Sequence, residues 1–78
     1  MTGYVVHYSQ AQGLPRQIGG AFQTLEQAEA AARKAGAIGE GERSGRDLVF
    51  DVEGHEGEDD YGIWIEIPPG GRVDVRDR

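Results

Sequence analysis

Apolar and polar residues alternate along this chain in short stretches broken by glycine. In "YVVHYS" (residues 4–9), Tyr4, Val6 and Tyr8 fall on one side of an extended chain, with Val5 and His7 on the other. Period two in β-branched and aromatic residues predicts a strand. "QAQGLP" follows, with Gly13 and Pro15 as turn residues. "RQIGGAF" predicts a weaker strand with Ile18, Gly20 and Phe22 on one face. The adjacent Gly19 and Gly20 leave it under-filled, the pattern of a bulge or a close backbone approach.

The period changes in "TLEQAEAAARKAG" (residues 24–36), where Leu25, Ala28, Ala32 and Ala35 recur at spacings of three and four. Thr24 and Gln27 have capping-box spacing. Glu26 near the start and Arg33 and Lys34 near the end suit the helix dipole, and Gly36 is placed to close the helix in a left-handed conformation. The stripe is mostly alanine, so the helix is expected to lie close to what it covers and to depend on its partners' bulk.

"AIGEGERSGR" (37–46) interleaves three glycines with charged residues, and is expected to form a mobile connection that tolerates insertion. Alternation returns in "DLVFDVE", with Leu48, Phe50 and Val52 opposite Val49 and Asp51. It continues in "YGIWIEI", with Ile63, Ile65 and Ile67 opposite Trp64 and Glu66. "PPGG" predicts a turn. "RVDVRDR" predicts a last strand with Val73 and Val75 inward and Arg72, Asp74 and Arg76 outward.

The elements give the order ββαβββ in a single α+β domain spanning residues 1–78. The last three strands are expected to form an antiparallel meander. One helix then covers one face of the sheet, in two layers. The expected core is Tyr4, Val6, Tyr8, Leu25, Ala28, Ala32, Leu48, Phe50, Val52, Ile63, Ile65, Ile67 and Val73.

Size and composition add constraints. Seventy-eight residues support one modest core. The chain has no cysteine, so neither disulfides nor thiolate metal sites staple it. It shows no signal-peptide pattern and no apolar run of membrane-spanning length, and it is expected to be cytoplasmic. The net charge of −6 is uneven. Residues 1–39 carry three bases and two acids, a net of +1; residues 40–78 carry five bases and twelve acids, a net of −7. That half would repel a phosphate backbone, so nucleic acid is not an expected partner. A basic protein is easier to accommodate.

Candidate chemistry is sparse. "EGHEGEDDYG" (53–62) holds five acids and one histidine. Its spacing does not match a calcium loop, and one histidine is too few for zinc. It is expected to be a soluble bend between strands, with weak binding of a divalent cation at 53–60 as the alternative. No phosphate-loop or hydrolase motif is present, and no metal or cofactor is expected. The uncovered sheet face is predicted to display Val5, His7, Val49, Asp51, Trp64 and Glu66. His7 with two carboxylates is an acid–base candidate, yet no nucleophile, base and orienter can be named together. An enzyme is therefore not expected. Trp64 with its apolar neighbours suits an interaction surface.

"YVVH", "FQTLEQAEAAARKA" and "DLVFDVEG" resemble, in that order, small uncharacterised bacterial ββαβ domains. "FQTLEQAEAAARKA" (22–35) is also similar to the strand-to-helix corner of HicB-type antitoxins. That resemblance covers only the first half of the chain, and "GIWIEIPPGGRVDV" departs from it. It implies an acidic protein that covers a small basic ribonuclease toxin, and no site residue is carried over. The expected function is a small interaction module that binds a protein partner, or a second copy of itself as a homodimer, through the open sheet face. An edge strand at Arg72–Arg76 is one candidate for self-pairing. The alternatives are the antitoxin-like inhibitor and a ligand-binding or enzymatic site at a subunit interface.

Overall fold

The computed structural model describes residues 3–10 and 13–71. Strands β1 (Tyr4–Ser9) and β2 (Arg16–Phe22) precede helix α1 (Leu25–Lys34). Strands β3 (Ala37–Ser44), β4 (Asp47–Val52) and β5 (Gly62–Glu66) follow it. They build one five-stranded sheet in the order β2-β1-β5-β4-β3, with every neighbouring pair antiparallel. The helix lies on one side. The protein is thus a two-layer α+β domain with the order ββαβββ.

The helix begins where its chemistry requires. Thr24 is extended, and its hydroxyl accepts the Gln27 backbone N–H at 3.1 Å. The Gln27 side-chain oxygen accepts the backbone N–H of Gln23 at 3.1 Å, one residue upstream of the usual reciprocal partner. At the other end Gly36 sits at φ +119°, and its N–H reaches the Arg33 carbonyl. Leu25, Ala28 and Ala32 are buried against the sheet. The small alanines bring the helix down onto Tyr4, Val6, Ile63 and Ile65, which carry the bulk of the core. Phe50 lies in that core with the Arg33 guanidinium 5.1 Å above its ring.

The expected core residues Tyr4, Val6, Leu25, Ala28, Ala32, Leu48, Phe50, Val52, Ile63, Ile65 and Ile67 are all buried, and Tyr8 packs against them partly exposed. Ala37 joins them unforeseen. Val73 and the strand expected at 72–76 lie outside the described residues.

One expectation is corrected. Residues 37–44 are not a loose connection but strand β3, paired with β4. Its ladder opens between Ile38 and Glu42, so residues 39–41 lie opposite the single residue Phe50. Gly41 sits at φ +86°, and a Cβ there would stand 3.0 Å from the Phe50 ring. Only glycine lets the backbone pass that close. On the opposite flank, residues 19–21 of β2 lie opposite Val5 alone, which is the bulge expected at Gly19–Gly20. Among the described strands β2 and β3 are the outer ones. Both are therefore bulged, a known obstacle to pairing with another sheet edge.

Candidate functional site: the uncovered sheet face

The alternation that points Tyr4, Val6, Leu48, Phe50, Ile63 and Ile65 at the helix points their neighbours away from it. Val5 and His7 on β1, Val49 and Asp51 on β4, and Trp64 and Glu66 on β5 all lie on the face that carries no helix among the described residues. The register arranges them. His7 stands opposite Gln17 on one side and Trp64 on the other; Trp64 in turn faces Val49, and Val49 faces Glu42. A single row, Gln17–His7–Trp64–Val49–Glu42, therefore crosses all five strands with its largest ring at the centre.

Within that row the His7 and Trp64 rings stack, with centroids 5.3 Å apart and planes 19° from parallel. His7 Nε2 also lies 3.0 Å from Glu66 Oε1. Glu66 stands directly opposite Val5 on β1 and Asp47 on β4. Of the two carboxylates proposed beside His7, the fold brings Glu66 into contact. Asp51 lies toward the other end of β4, paired in register with Ile38 of β3. Its depression, of about 270 Å³, is lined by Ile38, Gly41, Glu42 and Val49 among others, and His7 takes no part in it. A second depression, of about 180 Å³, is bordered by Val5, Ala21, Arg46, Glu66 and Pro68 among others.

The charges that the strands carry on this face are of one sign. Glu42, Asp47, Asp51 and Glu66 all belong to it by register, whereas Arg16 and Arg43 sit opposite Tyr8 and Leu48 and so belong to the helix side. The Arg43 guanidinium is held by the Gly45 carbonyl at 3.0 Å. Arg46, in the β3–β4 turn, makes no ion pair among the described residues. Asp47 and Glu66 are like charges directly opposite each other, an arrangement that costs stability in a sheet. Asp47 was legible as a member of the face, because it continues the alternation of Val49 and Asp51. Gln17 and Glu42 were not, since their positions depend on register and on the hidden strand β3.

The acidic loop 53–61 leaves the sheet between β4 and β5. It is a series of tight turns: His55 N–H bonds the Val52 carbonyl, Glu58 N–H the His55 carbonyl, and Tyr61 N–H the Glu58 carbonyl. The His55 ring lies flat on Tyr61, with centroids 3.7 Å apart, and its Nδ1 is 3.3 Å from Glu58 Oε1. Among the described residues no three His, Asp or Glu side chains converge as cation ligands. The loop lies at the same end of the sheet as the β1–β2 turn, where Leu14 is 88% exposed. No helix among the described residues is long and apolar enough to cross a membrane. Comparison with protein-family models, curated proteins and solved structures finds no match to this chain.

Proposed function

We propose that the protein is a small cytoplasmic interaction module that binds a basic protein partner through its uncovered sheet face. The observation that carries this reading is the central row, with Trp64 and Val49 left uncovered amid four carboxylates, while the strand-borne Arg16 and Arg43 belong to the helix side. An aromatic anchor inside a charged rim is the pattern of an interface centre. The same sign of charge on both copies opposes face-to-face self-association, and the bulged outer strands oppose edge pairing. A different protein is therefore the favoured partner over a second copy. Catalysis is not part of the proposal: His7 is occupied by Trp64 and Glu66, and neither is a nucleophile it could activate. An antitoxin-like cover for a basic ribonuclease is a narrower form of this reading. Its own test is whether the protein inhibits such an enzyme.

The general test is a photo-crosslinking residue placed at Val49, compared with one at Ala30 on the exposed side of the helix. A discrete protein adduct in cells at position 49 and none at position 30 is the expected result. Equal labelling at both positions, or none at 49, overturns the proposal.

A further inference from the structure

We infer that Asp47, Glu66, Trp64 and Val49 form a docking notch for one arginine side chain on an extended basic segment of the partner, which rests on the interaction reading above. The four residues occupy a two-by-two block of the sheet. Asp47 faces Glu66, Val49 faces Trp64, and each pair is the other's next same-face neighbour along β4 and β5. Residues so paired have Cβ atoms about 5 Å apart, a span that a planar guanidinium with donors on two edges can bridge. An ammonium is a compact point charge and fits two separated carboxylates less well. His7 approaches Glu66 only at Oε1, so the other oxygen remains for a ligand. His7 also flanks Trp64 on the β1 side. On the β4 side the register partner is the smaller Val49, 36% exposed, which leaves room for an arginine stem beside the indole.

The like-charge pair itself argues for an occupant. Two carboxylates set opposite each other are unfavourable in the free protein, and among the described residues Asp47 makes no ion pair. A bound cation turns that repulsion into two attractive contacts. Phosphate-bearing partners and anionic membranes meet the same carboxylates as repulsion, and a second copy docked through the same face keeps its strand-borne Arg16 and Arg43 on the far side.

The test is a titration of the isotopically labelled full chain, at low salt, with three capped peptides of the form Gly-Thr-Val-X-Val-Thr-Gly, where X is arginine, lysine or citrulline. The arginine peptide is expected to shift the Trp64 indole N–H and the amides of Asp47, Val49 and Glu66. Lysine binds more weakly, and neutral citrulline weaker by roughly tenfold or more, the effect of losing charge-assisted hydrogen bonds. Asp47→Asn, which removes a repulsion and so folds at least as well, is expected to weaken the arginine peptide by a similar factor. The inference fails if millimolar peptide shifts nothing, if arginine and citrulline act alike, or if the shifts centre on loop 53–61. Should crosslinking at Val49 capture a partner while the arginine peptide fails, the notch is wrong and the interaction face stands. Failure of both removes both.

Discussion

His7 and Trp64 come from strands at opposite ends of the described chain, yet they face each other in register at the centre of the sheet with their rings stacked. The contact exists because the first strand lies beside the last described one. That arrangement ties β1 to β5 on the face the helix leaves uncovered. Aromatic pairs of this kind contribute about 0.5–1.5 kcal/mol beyond the area they bury. A double-mutant cycle with His7→Ala and Trp64→Ala, run in a Glu66→Gln background so that the histidine–carboxylate contact is absent, should return a coupling of about that size. Urea denaturation measures it, and a coupling near zero would mean the rings merely lie side by side.

Asp47→Asn should make the protein more stable. The substitution keeps the shape and removes one of two carboxylates that face each other across β4 and β5. The expected gain is roughly 0.2–1 kcal/mol, shrinking in high salt because screening already weakens the repulsion in the parent. Glu66→Gln should gain less, since it also gives up the 3.0 Å contact with His7. Denaturation of both variants at two salt concentrations distinguishes these outcomes.

Gly41 and Gly20 sit in the two outer-strand bulges but should respond oppositely to alanine. At Gly41 the backbone has φ +86°, and a Cβ would meet Phe50 at 3.0 Å and Leu48 at 3.1 Å. Gly41→Ala should cost about 1–3 kcal/mol through backbone strain and crowding. At Gly20 nothing lies within 4 Å and φ is not positive. Gly20→Ala should raise stability by about 0.4–1 kcal/mol by restricting the unfolded chain. Thermal or chemical denaturation of the pair tests the sign of each.

His55→Ala should loosen the β4–β5 loop without unfolding the sheet. The histidine ring is stacked on Tyr61, and its carbonyl accepts the Glu58 amide. Without the ring, amide exchange at Glu58 and Tyr61 should quicken, while Ile63 and Ile65, fully buried in the core, keep their protection. Hydrogen exchange read by NMR reports both. Equal acceleration at Ile63 would show that the loop supports the core.

Much of this architecture is visible in the order of residues. Alternation alone assigns Val5, His7, Val49, Asp51, Trp64 and Glu66 to the face opposite the helix, because each belongs to a strand whose other face is strongly apolar. Thr24 and Gly36 bound the helix for local reasons that the chain states outright. Strand β3 is hidden for equally physical reasons. It buries only Ala37, Glu40 and Glu42 interrupt any apolar alternation, and Gly39 and Gly41 break the period where the bulge lies. One signal did point to it. Gly45, at φ +61°, and Arg46 form a two-residue connection between Ser44 and Asp47, the arrangement of a tight hairpin. The meeting of His7 with Glu66, 59 residues apart, could not be read locally. It depends on β1 slotting beside β5, which no short stretch encodes.

The glycine puckers on both flanks have a consequence at high concentration. A sheet grows into a ribbon or fibril when a newcomer's amides can match a straight run of vacant rungs on its rim. Here each outer strand among the described residues falls out of step partway along, so a strand arriving from the side engages only a few rungs. Among the described residues, the bare broad side is thus flanked by margins that do not favour lateral growth.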